Sequence, residues 1–217
     1  MKKFLIFDTE TTGLFHNKDK PKLGIKKARN PIQHPEDYPR VFQLAFLLMN
    51  EEGEILEQFS EFITPDNWVI PNEPFWIEHG YSTEQCEQLG VPMAKALTSF
   101  VNALNKADYL VAHNLNYDRP VILSEIANYD IPMPEDFSIP KLLCTMQCTI
   151  DYVKADHTQE NIEKYPFLKF SNKFPKLIEL HEKLFSEGFD GAHDALVDVK
   201  ATFRCLIELN RLGILKF

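Results

Sequence analysis

The sequence predicts an α/β fold on a mixed sheet, and three observations carry that reading. Apolar runs of strand length come first, and longer segments of helical spacing follow. Two of the early runs meet across a turn, which makes an antiparallel pair. Later runs are separated by helical segments, the connection that produces parallel neighbours.

Residues 4–7 are a four-residue apolar run, too brief for a helix and suited to a fully buried strand. Residues 41–49 form a second run, and Asn50-Glu51-Glu52-Gly53 is a turn signal leading into a third over 55–63. Helical spacing then appears over 91–105, with Ala94, Leu97, Val101 and Leu104 on one stripe. A fourth short strand over 109–112 leads into a helix from about 116 to 128, and residues 142–145 read as the fifth strand. The polar, mixed segment 154–173 reads as loop. A short helix over 176–184 is closed by Gly188 and Gly191. The last helix starts near His193, carries Leu196, Val199, Phe203 and Leu206 on its apolar stripe, and stops at Gly213. No internal repeat or low-complexity tract is present.

Composition bounds the function. The 217 residues fit a single domain, with 44% hydrophobic and 25% charged residues in the ordinary globular range. Lys plus Arg is 23 against 32 for Asp plus Glu, a net charge of −9, which excludes bulk electrostatic binding of nucleic acid or anionic membrane. A polyanionic substrate must then be met by a local basic patch or by metal ions. One candidate patch exists: residues 16–30 hold Lys18, Lys20, Lys22, Lys26, Lys27 and Arg29 against Asp19, so they carry +5 and the rest of the chain −14. Such a run also reads as a solvated surface loop. The apolar run after Lys2-Lys3 ends at Asp8, short of a signal peptide, and no run reaches the ~20 residues of a membrane span. Cys86, Cys144, Cys148 and Cys205 form no C-x-x-C pair, which argues against a disulfide framework or structural zinc. The cytoplasm is the expected compartment.

Three segments carry chemistry. Asp8-Thr9-Glu10 ends the first strand, and the two-residue period puts both carboxylates on one face, roughly 7 Å apart. That is half a site for a hard divalent cation, or two solvated acids ahead of the Thr11-Thr12-Gly13 turn. His113-Asn114-Leu115-Asn116-Tyr117-Asp118 follows the fourth strand, where α/β sheets place ligands; Asp118 also reads as a first-turn acid, and His113 as structural. His193-Asp194-Ala195-Leu196-Val197-Asp198 opens the last helix, with Asp194 the natural cap and Asp198 left without a capping task. A sheet that gathers these segments would crowd four carboxylates beside one imidazole, an arrangement that needs cations. Two divalent metals imply phosphoryl chemistry.

On these residues the chain resembles the DEDDh exonuclease superfamily. Asp8-x-Glu10 with Thr11-Thr12-Gly13 is similar to its first motif, Asn114-x-x-Tyr117-Asp118 to its second, and His193-x-x-x-x-Asp198 to its third. Glu78-His79-Gly80-Tyr81 resembles a loop that follows the third strand, and the likeness runs from residue 4 to about 209. The position four before the last acid is Asp194, where the sister group has Tyr, so the His subtype is indicated. Tyr117 stands where Phe is commoner, and residues 15–40 are long for their connection. The members most similar are the epsilon proofreading subunit of bacterial replicative polymerase and its free-standing relatives.

The resemblance implies a ribonuclease H-like fold with a central mixed five-stranded sheet flanked by helices. It implies one exonuclease domain over 1–217, with a basic inserted loop at about 15–40. The implied activity is 3′→5′ hydrolysis of single-stranded nucleic acid, DNA first, releasing nucleoside 5′-monophosphates with two Mg²⁺ or Mn²⁺. Asp8, Glu10 and Asp198 would hold one metal, Asp8 would bridge to the second, Asp118 would orient that second metal, and His193 would be the general base. Thr11, Thr12, Gly13, Leu14 and Asn114 are the implied substrate contacts, the backbone of the turn meeting the 3′-hydroxyl and Leu14 the base; His79 reads either as a nucleotide contact or as loop packing, and Phe42 or Gln43 is undecided. Lys22, Lys26 and Lys27 are expected to guide the strand. Implied partners are 3′ ends of single-stranded DNA or RNA and a DNA polymerase subunit, with no membrane. An exoribonuclease, or a non-catalytic module binding strand ends or a protein partner, remain open on the same fold.

Overall fold

The strand run at residues 4–7 belongs, in the computed structural model, to a nine-residue strand β1 (Lys3–Thr11) at the centre of a five-stranded sheet. The structure describes residues 1–15, 29–133 and 141–217. β2 (Val41–Asn50) pairs antiparallel with β1, and β3 (Ile55–Phe62) antiparallel with β2. β4 (Tyr109–Ala112) lies parallel to β1 and β5 (Lys141–Cys144) parallel to β4, giving the order β3-β2-β1-β4-β5. The sheet is mixed, as the order of strand and helix signals requires.

Helices cover both faces, which is why every residue of β2 is buried instead of alternating. Between β3 and β4 come α1 (Pro74–Glu78), α2 (Thr83–Leu89) and α3 (Met93–Leu104). α4 (Leu115–Asn128) connects β4 to β5. Leu5 and Phe7 of β1 pack with Leu97 and Phe100 of α3 and Val121 and Ile122 of α4. The other parity, Phe4 and Ile6, packs with Ala195, Val199 and Leu206 of the last helix. After β5 the chain forms α5 (Thr145–Cys148), α6 (Ile150–Val153), α7 (Gln159–Lys164), α8 (Leu177–Phe185) and α9 (Ala195–Arg211). None of the described helices is long and apolar enough to cross a membrane.

Several expectations need correction. Segment 154–173 is not a plain loop: it holds α7 and a 3₁₀ turn over Pro166–Phe170. Caps and prolines set these short pieces, not apolar periodicity; the Thr158 side chain accepts from the Asn161 N–H, and Pro166 opens the 3₁₀ turn. The helix expected from 91 starts at Met93, because Val91 bridges to Ile63 and donates to the Phe62 carbonyl at 2.9 Å. The fifth strand ends at Cys144, and Thr145 opens α5. Gly213, with φ of 70°, does close the last helix as expected.

The basic stretch Lys18, Lys20, Lys22, Lys26 and Lys27 lies outside the described residues. Arg29, at its end, clamps the buried Asp37 with two hydrogen bonds of 2.8 Å and also pairs with Glu36, so its charge is engaged within the fold. Nearby, the buried Glu125 of α4 accepts from the Arg40 Nε at 3.0 Å and from the Val41 N–H at 2.9 Å, which fixes α4 against the start of β2.

Candidate active site

Strand parity aims the first two acids. Phe4 and Ile6 face α9, so Asp8 and Glu10 project from the same face, at the end of β1 where it emerges from the sheet. The pairing of β1 with β2 shifts between Glu10 and Thr11, a bulge that ends the regular ladder just past the second acid. The opening of α9 brings the opposing groups. Asp194 caps this helix, its Oδ1 accepting from the Leu196 and Val197 N–H groups at 3.1 Å each. Gln43 of β2 holds that cap, donating to Asp194 Oδ2 at 3.1 Å and accepting from the Ala195 N–H at 3.2 Å. One turn into the helix, Asp198 turns back to the sheet.

His193 stands just before the cap with φ of 74°, a left-handed conformation that an L-residue adopts at a cost. Both sides of its peptide are held: its N–H donates to Asp198 Oδ2 at 3.1 Å, and the Tyr81 hydroxyl donates to its carbonyl. The His193 ring meets the His79 ring edge-on at 4.8 Å and the Phe75 ring at 5.3 Å. Asp118 enters from the first turn of α4, after Asn114 at φ of 78° has turned the chain out of β4. Thr9 fixes it, giving both its N–H and its hydroxyl to Asp118 Oδ1, at 3.2 and 2.7 Å.

The resulting cleft, about 470 Å³, is lined by Asp8, Glu10, Asp118, His193 and Asp198 together with Leu14 and Asn114. Burial drives the electrostatics. The Asp8 carboxyl is raised well above the ordinary range by desolvation, then by the charges of Asp118, Glu10, Asp198 and Asp194. Burial, and next Asp198, lift Glu10 to about 9. Asp118 is lifted by burial to about 7, although the Thr9 hydrogen bonds pull the other way, and Asp198 by burial to about 6. His193 moves down, first by desolvation and then by His79 and Lys176, so it is a neutral base at pH 7.

Such a set fits divalent cations. Asp198 Oδ1 is buried without a hydrogen-bond partner, and donor atoms of Glu10, His193 and Asp198 all lie within 4.8 Å of one another. Hard carboxylate oxygens are the donors that Mg²⁺ and Mn²⁺ take.

The hydroxyls of the Thr11-Thr12-Gly13 turn are engaged within the fold: Thr11 Oγ1 donates to the Gly13 carbonyl at 3.0 Å, and Thr12 Oγ1 accepts from the Arg40 N–H at 3.0 Å, which leaves the expected backbone contact to substrate as a proposal. His79 lies behind His193, with its Nδ1 2.6 Å from the Phe75 carbonyl. Phe42 is fully buried beside Cys86 and Tyr81. His113 sits between Thr145 Oγ1 and the Pro175 carbonyl, 3.0 Å from each, and burial lowers it to about 4, which is the structural use expected of it.

The exonuclease model of the RNase_T family matches residues 5–206. The chain belongs to that family. Solved structures agree at the level of the fold. Escherichia coli exonuclease I in complex with a dA16 oligonucleotide is similar with a TM-score of 0.63 and 16% identity, covering 97% of this chain and 41% of that one. The same enzyme with dT13 gives 0.66 and 17%, covering 98% and 43%, and its zinc-bound complex with single-stranded DNA gives 0.66 and 16%, covering 97% and 41%. The chain thus spans about two-fifths of that enzyme's length. No curated protein matches. The chain thus carries an RNase_T exonuclease-family domain on the fold of those structures.

In this RNase_T family member five contributing residues were left without a role by the sequence reading. Thr9 sits inside the first motif, and its role depends on a partner 109 residues away. Gln43, left undecided, serves the Asp194 cap. Tyr81, in the segment 78–81 singled out above, holds the His193 carbonyl. Phe174 and Lys176 line the cleft from the stretch before α8, and the interleaving of aromatic and basic residues there was the available signal.

Proposed function

We propose that this exonuclease removes nucleotides from the 3′ end of single-stranded nucleic acid, DNA in the first instance, and releases nucleoside 5′-monophosphates with two Mg²⁺ or Mn²⁺. One observation carries the reading: four acids from three segments converge beside a neutral imidazole, and the charges acting on Asp8 are all of one sign. The cleft volume lies in the range of about 300–1,000 Å³ of small-ligand sites, room for a terminal nucleotide. Exonuclease I, which shares the fold, is seen with dA16 and dT13 strands.

Asp8, Glu10 and Asp198 would hold one ion, with Asp8 shared and Asp118 facing the second. Divalent cations there supply Lewis-acid stabilisation of the phosphoryl oxygens. His193 takes a proton from the attacking water on an imidazole nitrogen. The water oxygen becomes bonded to phosphorus as the P–O3′ bond breaks, and the departing 3′ oxygen leaves as a hydroxyl after taking a proton from solvent. Leu14, well exposed at the cleft mouth, packs against the terminal base, and Asn114 borders it. All five groups come from one chain. The four cysteines are free, which fits a reducing cytoplasm.

Matched 5′-labelled DNA and RNA oligomers, incubated with Mg²⁺, Mn²⁺ or chelator, test the reading. A ladder shortening from the 3′ end, stopped by chelator, is expected, with DNA preferred. Equal or faster shortening of RNA would make it an exoribonuclease, and no release under any divalent metal would leave a binding module.

A further inference from the structure

Residues 164–176, Lys-Tyr-Pro-Phe-Leu-Lys-Phe-Ser-Asn-Lys-Phe-Pro-Lys, hold four lysines, four aromatics and no acid in a chain of net charge −9. Large aromatic side chains are normally buried, yet here Tyr165 is 45% exposed, Phe167 68%, Phe170 88% and Phe174 57%. The backbone that presents them is ordered by its own hydrogen bonds. The Leu168 N–H donates to the Tyr165 carbonyl at 3.0 Å, and the Ser171 N–H to the Leu168 carbonyl at 3.1 Å. Lys173 fastens the far end, its N–H on the Ala155 carbonyl at 3.0 Å and its ammonium on Glu179 at 2.5 Å. Lys164 and Lys169 make no ion pair among the described residues.

The segment runs directly into the active site. Phe174, Pro175 and Lys176 line the same cleft as Asp8 and His193, and the charge of Lys176 is felt at His193. The acids and metals at the centre would grip the terminal phosphate but offer nothing to the strand behind it. Alternating aromatic faces and free ammonium groups are what a single strand needs: bases stack on the rings, and phosphates meet the lysines.

Building on the exonuclease reading above, we infer that residues 164–176 are the track along which single-stranded nucleic acid approaches the cleft. Unstacked bases lie on Phe167 and Phe170, with Lys164 and Lys169 at the backbone phosphates, and the strand passes Phe174 and Lys176 into the site. Charge complementarity and continuity with the cleft favour this occupant over a protein surface, which an apolar patch without interleaved lysines would suit better.

Fluorescence anisotropy with a labelled dT16 in chelator reads binding without cleavage. The double variant Phe167→Ala, Phe170→Ala should bind about 30-fold or more weakly, at roughly the loss expected for two stacked bases. Lys164→Ala with Lys169→Ala should make the slope of log binding constant against log salt shallower by about 1.4, or about 0.7 per phosphate contact. Phe170→Trp should retain affinity, and its added fluorescence should be quenched by the bound strand. All these side chains are exposed, so an unchanged melting temperature is expected throughout. Unchanged affinity and salt slope in the double variants, an unquenched Trp, or a wild type that does not bind dT16 would overturn the track and assign the aromatics to a protein contact. Failure of the exonuclease reading shows separately, as absence of mononucleotide release by the wild type with Mg²⁺ or Mn²⁺.

Discussion

Thr9 gives two hydrogen bonds to one oxygen of Asp118, from its N–H at 3.2 Å and its hydroxyl at 2.7 Å. The contact joins the central strand to the first turn of α4. It also counters, in part, the burial that raises the Asp118 carboxyl to about 7. Thr9 touches neither metal nor substrate in the proposed mechanism; it positions Asp118. Thr9→Val keeps the shape and removes the hydroxyl, so Asp118 should titrate higher. Turnover with Mn²⁺ should fall about 10–100-fold, as when a partner of a metal ligand is lost. The acid limb of the pH profile should move to higher pH, and Thr9→Ser should restore both. A lowered melting temperature with an unmoved acid limb would leave Thr9 a packing residue only.

The crowded acids make metal-free stability depend on pH in a defined sense. Above pH 7 the unfolded chain has lost its carboxyl protons, while the native state still binds those of Glu10, lifted to about 9, and of Asp8, raised well above its ordinary range. The native state therefore holds more protons, and its stability falls as pH rises through those values, by up to about 1.4 kcal/mol per pH unit for each retained proton. Below pH 7 the trend is mixed, because His113, lowered to about 4, and His193, also lowered, resist charging and favour the native state as pH rises. Melting curves in chelator between pH 7 and 9 should slope downward, and saturating Mn²⁺ should remove the slope. Asp8→Asn should make it shallower without metal, with the contribution of Glu10 remaining. A flat wild-type profile in chelator would count against buried, crowded carboxylates.

Much of this was legible because it is local. A two-residue period is enough to put Asp8 and Glu10 on one face, and the face is identified by Phe4 and Ile6. Asp194 announced itself as a cap, which left Asp198 free for other work. What stayed hidden depends on tertiary contact. Nothing near Thr9 indicates that its partner is Asp118, and nothing near His79 indicates that its ring backs His193. Nor does the sequence around Thr11 and Thr12 indicate that their hydroxyls are held by Gly13 and Arg40, which shape the turn whose backbone is expected at the substrate. Segment 154–173 was misread for a different reason: its helices are shorter than the period needed to detect them.

His193 can act as a base or as a ligand, since a donor atom of its ring lies within 4.8 Å of donors on Glu10 and Asp198. The assignment as base rests on its neutral state at pH 7 and on a peptide fixed at both ends by Asp198 and Tyr81. His193→Ala should slow single-turnover cleavage by about 10²–10⁴ while Mn²⁺ affinity, read by calorimetry, stays within a few-fold. Collapse of that affinity would make His193 a ligand.

Tyr117 uses its hydroxyl where a phenyl ring would have filled the same space. The hydroxyl donates to the Gly13 carbonyl at 2.5 Å and lies 2.5 Å from Thr11 Oγ1, while Phe15 stacks on the ring at 4.9 Å. Burial raises the phenol to about 12, so it remains a donor at every working pH. These bonds tie α4, which carries Asp118, to the Thr11-Thr12-Gly13 turn that leads into Leu14. Tyr117→Phe leaves the stacking and the Thr11 bond to Gly13 in place and deletes one hydrogen bond, a net loss of about 0.5–1.5 kcal/mol. If the turn shapes the seat of the terminal nucleotide, that loss appears in substrate binding. KM for a short oligomer should rise about 2- to 12-fold with kcat nearly unchanged. The melting temperature should drop by only a few degrees. A fall in kcat at constant KM would mean instead that the turn bears on the reacting groups, through the spacing between Asp118 and the acids of β1.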